Sequence, residues 1–220
     1  MYNAVERDRW TGISGPMSGL CTIGYSGRDI SEFIRLLVAS EVDVVCDVRS
    51  TPYSRFRPEF SRAELKRYLN ATGIKYKFLG DELGARPKDR GCYENGQATY
   101  DRISAAPFFQ VGLDRLRKGA ASLKLALMCS EADPIECHRA ILVCRHLPEM
   151  HGGIQHIGAS GAVETQEMFE ARLVRHHGLT PLPLIPGEHD WATAIREAYE
   201  LQSSAVAYRE KVWPAEELVS

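Results

Sequence analysis

Apolar positions along this chain switch repeatedly between two spacings, and the switches predict the order of its elements. Residues 20–24, Leu-Cys-Thr-Ile-Gly, form a short, nearly unbroken apolar run, as expected of a strand covered on both faces. The turn Tyr25-Ser26-Gly27 follows. Ile30, Phe33, Ile34, Leu37 and Val38 then recur at i, i+3, i+4, i+7 and i+8, which is one helical face. Asp29 is placed to cap that helix, with Glu32 as its capping-box partner. Residues 42–48 return to an apolar, β-branched run and predict a second buried strand. Ser61 and Glu64 form another capping box, with Phe60 and Leu65 as a hydrophobic staple. Residues 74–79 alternate as a third strand.

Residues 80–105 carry Gly, Pro and charge with little periodicity, and predict a long loop of the kind that is often functional. Pro107 opens a helix to about Lys118, with Phe109, Leu113 and Leu116 on one face. Residues 123–128 read as the fourth strand. Asp133-Pro134-Ile135-Glu136 is the clearest helix start in the chain, with Asp at N-cap, Pro at N1 and Glu at N3. That helix is expected to end near Leu147-Pro148. A fifth strand at 154–157 and a helix at 164–176 follow. Trp191, Ile195, Ala198, Tyr199, Gln202 and Val206 mark a last helix, either docked back or reserved for a partner.

Five alternations of strand and helix predict a three-layer α/β fold: a mostly parallel, Rossmann-like sheet with helices on both faces and a C-terminal helical tail. The expected organisation is a flexible leader at 1–19, an α/β domain at 20–178, a Pro-rich linker at 179–187, and a helix with tail at 188–220.

Composition narrows the setting. The chain has 220 residues, 44% of them hydrophobic, enough for one ordinary core. A net charge of -2 offers no global basic field for nucleic acid or a membrane, although the 27 Lys and Arg leave room for a local patch. No apolar run approaches the roughly 20 residues that span a bilayer. Six cysteines in a chain of this length do not make a disulfide framework, and a reduced, cytoplasmic setting is expected.

In a parallel sheet the carboxyl ends of the strands share one rim, where ligands bind. Three unusual segments fall there. The first is Tyr25-Ser26-Gly27-Arg28, and the second runs from Asp47 to Pro58. The third is Cys129-Ser130-Glu131, continuing into Cys137-His138-Arg139. Cys129 flanks a predicted helix N-terminus, which favours anions and lowers a thiol pKa. Glu131, Cys129, His138 and Cys137 are the candidate catalytic groups, Glu131 as general base or nucleophile. Tyr25, Ser26, Arg49, Ser50, Tyr53, Arg55, Arg57 and Arg139 are the candidate ligand contacts, since arginines grip phosphate and aromatics stack bases. Asp47 reads equally as the residue that orients Arg49.

The leading expectation is therefore an enzyme, a hydrolase or transferase, acting on a phosphate-bearing ligand such as a nucleotide or nucleic-acid component. Thiol-redox or zinc chemistry at Cys129, Cys137 and His138, with Cys92 or Glu131 as fourth ligand, is a second reading. It lacks the close C-x2-C spacing usual for zinc, so no metal ligand set is assigned. A non-catalytic nucleotide sensor or protein-interaction module is the third. No cofactor and no oligomeric state can be read from the sequence.

The motifs at 22–26, 47–54, 79–87, 127–131 and 137–139, taken together, resemble the family catalogued as domain of unknown function 488, over about residues 20–174. The resemblance implies a compact cytosolic α/β protein and groups the three rim segments in one site, but brings no reaction or cofactor. Asp47-Val48-Arg49 after an early strand and a cysteine at a strand-to-helix turn also parallel the rhodaneses. The chain departs from them in its longer loop after Cys129 and in lacking a compact Gly-rich cradle.

Overall fold

The computed structural model describes residues 19–181 and 190–210. Nearly all of the expected leader, most of the linker and the end of the tail therefore lie outside the described residues. The strands are β1 (Leu20–Gly24), β2 (Val44–Asp47), β3 (Lys75–Phe78), β4 (Tyr93–Glu94), β5 (Gln97–Ala98), β6 (Leu125–Cys129), β7 (Ile154–Ile157) and β8 (Val163–Thr165). Six of them form one sheet in the order β3-β2-β6-β1-β7-β8, while β4 and β5 form a separate hairpin. The first five strands of that order run parallel and β8 returns antiparallel to β7. This is the expected three-layer α/β fold.

The apolar strand runs divide cleanly between two cores. Ile23, Val45, Ala126 and Met128 face the helices α1 (Ile30–Ala39) and α2 (Arg62–Ala71), packing on Phe33, Leu37, Leu65 and Leu69. Cys46, Leu125, Leu127 and Cys129 face the other way, onto Phe109, Leu113, Phe169 and Tyr199. That second layer also takes in two short helices, α3 (Gly80–Leu83) and α4 (Tyr100–Ala105). Beyond them come α5 (Pro107–Ala120), α6 (Gln166–His176) and α7 (Trp191–Val206). Side chains two apart share a face, so a continuous apolar run serves both layers.

Chain direction creates the site's location. From β1 the chain crosses by α1 to β2, passing over β6 on one face. From β6 it crosses to β7, passing β1 on the opposite face. Direction and face reverse together, so both crossovers share one hand. The neighbouring carboxyl ends of β1 and β6, aligned at Gly24 and Cys129, are thus a topological switch point.

Several local expectations are corrected. Residues 80–105 are not a loop but hold α3, the β4–β5 hairpin and α4, elements too short to show periodicity. Ser61 begins α2 without a capping box, because its Oγ accepts instead from Ser54 N at 3.1 Å. Asp133-Pro134-Ile135-Glu136 does not open an α-helix. It forms turns, and regular structure starts only at His138 as a π-helical turn, Arg139–Val143. Residues 163–165 add an edge strand before α6, with Thr165 as its N-cap.

The last helix is docked. Ala194, Ala198, Tyr199 and Gln202 are buried, and Gln202 Nε2 donates to Ile135 O at 3.0 Å. Behind it runs a directed buried chain. Arg139 Nε donates to Thr22 Oγ1, whose hydroxyl meets His156 Nδ1 at 2.9 Å; His156 Nε2 meets Gln166 Oε1 at 2.8 Å. Gln166 Nε2 then donates to Glu170 Oε1 and Tyr199 OH. Since the Gln166 amide oxygen only accepts, the neutral imidazole carries its proton on Nε2, and the Thr22 hydroxyl donates to Nδ1.

Burial above all holds the His156 pKa down at about 4, while the Gln166 bond opposes the shift and the charges of Arg139 and Arg172 assist it. A histidine depressed from its ordinary 6.5 binds protons more readily unfolded than folded. Its stabilisation is therefore complete above pH 6.5 and is lost as pH falls towards 4, about 3 kcal/mol in all. Urea unfolding across that range should show the decline, and His156→Gln should flatten it. An unchanged slope in the variant would assign the effect to another group.

Candidate functional site

The site is assembled by backbone before any reactive group is considered. Tyr25 N donates to Cys129 O at 3.2 Å and Ser26 N to Ser130 O at 2.8 Å, which lays the first rim segment along the third. Gly24 is required at that contact: a Cβ there would stand 1.7 Å from Glu131 O. From beneath, the fully buried Arg139 donates through NH1 to Glu131 O at 2.7 Å and through NH2 to Ala132 O at 3.1 Å. From outside, Arg172 grips both Asp133 oxygens at 3.0 Å, while Asp133 Oδ1 accepts from Ile135 N at 2.9 Å. Loop 130–133 is therefore held on three sides.

Four of the expected groups converge here. Cys129 Sγ lies 3.6 Å from His138 Nδ1, and Cys137 Sγ lies 3.8 Å from the same nitrogen. Cys137 Sγ is 3.0 Å from Glu131 Oε2. His138 Nε2 is 3.0 Å from Val48 O, and a carbonyl only accepts. The neutral ring therefore protonates Nε2 and turns the Nδ1 lone pair on both sulfurs. Cys129, Cys137 and His138 are buried and Glu131 is half-buried. Through Val48 the second rim segment joins the third.

Charge is unevenly shared. Burial pushes the Cys129 thiol well up, and the nearby Cys137 and Glu131 push it further. The expected lowering by a helix N-terminus is thus not realised at Cys129, because no α-helix starts in front of it. Burial would raise Cys137 too, but the neighbouring Cys129 thiol, the charge of Arg139 and the bonded His138 outweigh it and hold that thiol low. Glu131 is raised, first by burial and then by Cys137. His138 is raised despite burial, because Cys137 bonds to it.

Sequence reasoning missed Tyr100, from α4. It is 5% exposed, and its hydroxyl is buried without a hydrogen-bond partner. Burial raises its pKa first, with Cys137, Cys129 and Glu131 raising it further, and Tyr100 belongs to the same buried cluster as the two thiols. Nothing in the periodicity of 80–105 marks it, since its helix is barely more than one turn.

The arginines do not form one anion grip. Arg49 is buried and forks onto Asp47, with Nε at 2.9 Å and NH2 at 2.6 Å, and also donates to Phe60 O. Asp47 therefore has the orienting role. Arg57 pairs with Glu59 and donates to Arg28 O. Arg139 is committed to the loop carbonyls. Tyr25 stacks on Phe60 at 4.4 Å, and Ser50 Oγ accepts from Arg86 N. Ser26 is exposed at the turn. Arg55 remains exposed against the Phe56 ring at 4.5 Å, beside exposed Tyr53. Among the described residues Arg55 has no ion pair. Cys92 lies in a separate turn and does not join the centre.

A family model described as domain of unknown function DUF488 matches residues 29–145, more than half of the chain. It contains the second and third rim segments and begins just after the first. No curated protein and no solved structure matches the chain.

The loop's dependence on Arg139 is measurable. Arg139→Lys keeps the charge but loses the fork, leaving a buried carbonyl of Glu131 or Ala132 unpaired. Unfolding free energy should fall by about 1–3 kcal/mol per carbonyl lost. Arg55→Ala, on the exposed side of the rim, should stay within about 0.5 kcal/mol of the parent. Equal effects in urea melts would contradict this division of roles.

Proposed function

The chain belongs to the family described as domain of unknown function DUF488, and from its site geometry we propose that it is an enzyme of the hydrolase or transferase type. Its ligand is a phosphate-bearing molecule, a nucleotide or nucleic-acid component, met at the carboxyl rim. The observation that carries this reading is the convergence of Glu131, Cys129, Cys137 and His138 at the switch point between β1 and β6. There Glu131 Oε2 is 3.0 Å from Cys137 Sγ.

Glu131 is the general base. It is half-buried where the thiols and imidazole are buried, so an attacking hydroxyl can reach it from the rim. The carboxylate takes that hydroxyl's proton as the new bond forms and returns it to the leaving group. Cys129, Cys137 and His138 fix its position and charge. Recognition falls to the exposed loop, where Tyr53 and Phe56 offer stacking faces and Arg55 a cation. That loop is tethered to the centre through Arg57, which bonds Arg28 O next to the Tyr25–Ser26 turn.

The six free, buried cysteines suit the reducing cytoplasm expected for such an enzyme. No helix among the described residues is long and apolar enough to cross a membrane.

Thermal denaturation against a panel of nucleotides and short oligonucleotides tests recognition, because a ligand of the native state raises the midpoint. Tyr53→Ala with Arg55→Ala should abolish the rise. With a turnover substrate found in the same panel, Glu131→Gln should keep the rise and lose about 10²–10⁴ in rate. No rise with any nucleotide, or full turnover by Glu131→Gln, would overturn the reading.

A further inference from the structure

A general base does not account for two thiols and an imidazole nitrogen turned on one point. We propose that Cys129 Sγ, Cys137 Sγ and His138 Nδ1 bind one zinc ion, and that its fourth position takes a water facing Glu131. This deepens the enzyme reading and rests on it only for the work done by that water.

Geometry comes first. The three donor atoms lie within 4.8 Å of one another. Zinc bonds of about 2.3 Å to sulfur and 2.0–2.1 Å to nitrogen, at tetrahedral angles, set sulfur and nitrogen about 3.6 Å apart. The observed separations are 3.6 Å and 3.8 Å. The second nitrogen of a zinc-bound histidine normally donates to a carbonyl or carboxylate, and His138 Nε2 faces Val48 O at 3.0 Å. Two sulfurs and an imidazole select zinc over magnesium or calcium.

Hydrogen bonding agrees. Two thiols and a carboxylate meet in a largely buried site, while Arg139 turns its donors away from them to backbone carbonyls and Thr22. In the same buried cluster Tyr100 brings a hydroxyl with no partner among the described residues.

Glu131 is not in the group of three, which leaves it beside the ion as base rather than ligand. In turnover the zinc-bound water passes a proton to Glu131, and the resulting hydroxide bonds to the electrophilic atom of the substrate. As the leaving-group bond breaks, Glu131 delivers that proton to it. Three protein ligands with an open position and an adjacent carboxylate are the parts of a water-activating zinc site.

The test uses the full chain purified without chelators. Elemental analysis should find a single equivalent of zinc. Cobalt(II) exchanged into its place should give thiolate-to-cobalt charge-transfer absorption and intense tetrahedral d–d bands. Cys129→Ser and Cys137→Ser should weaken both signals at least tenfold, whereas Glu131→Gln and Tyr100→Phe should keep the stoichiometry. Folded wild-type protein that contains no zinc and shows neither a cobalt spectrum nor a thermal shift with added zinc overturns the site. Loss of metal in Glu131→Gln overturns the open fourth position. The two readings fail separately. Metal bound without Glu131-dependent turnover removes the enzyme role alone, and Glu131-dependent turnover without metal removes the zinc alone.

Discussion

The structure turns on one buried cation. Arg139 has no exposed surface, and a guanidinium in that position costs several kcal/mol unless its donors are matched. Its partners are Thr22 in the central strand and the carbonyls of Glu131 and Ala132 in the rim loop. Those bonds dictate the backbone on both sides. The loop must fold back over the end of β1, which only Gly24 permits, and the following segment must present Arg139 inward. A regular α-helix from Asp133 is what local propensity asks for. The turns and π-helical register seen instead bring Cys137, His138 and Arg139 all to buried positions, with Glu136 left outside. Wider turns of this kind are frequent at functional sites.

The same bonds explain why the reactive groups are crowded. Cys129 is fixed by strand register and Glu131 by the carbonyl that Arg139 holds, so neither can move away from Cys137. His138 is held from the far side by Val48 O, at the end of the neighbouring strand. Like-charged groups at such separations cannot all ionise without a counter-charge, and the opposed displacements of Cys129 and Cys137 follow from that constraint. A fold that needed only stability would place apolar side chains here, as it does at Ile23, Val45, Ala126 and Met128.

What was legible in the sequence follows from which forces act locally. Strands of a parallel sheet are covered on both faces, so the runs at 20–24, 44–47 and 125–129 announce themselves without reference to partners. The Asp29 cap is likewise a bond between neighbours and was readable. The convergence of three rim segments needed only the rule that parallel strands share a rim. The pairing of Arg49 with Asp47, two residues away, was readable as one of two alternatives. The roles of Arg57 and Arg139 were not, because Arg139 has its partners at Thr22 and in a loop whose path it sets itself. Tyr100 was hidden for another reason: α4, β4 and β5 are shorter than the window in which any period can be counted.

The position of α7 extends the constraint to the end of the described chain. Gln202 donates to Ile135 O inside the segment that carries Cys137, and Tyr199 closes the buried polar chain that begins at Arg139. After the helix, Tyr208 O accepts from Ala98 N and Glu210 pairs with Arg90, so the C-terminal strand-like stretch latches the β4–β5 hairpin that precedes Tyr100. Releasing this helix would expose Ala198 and Tyr199 and unpair Ile135 O. The segment before the π-helical turn and the hairpin before α4 therefore both depend on residues far along the chain. The loop bearing Tyr53, Arg55 and Phe56 is left as the exposed part of the rim.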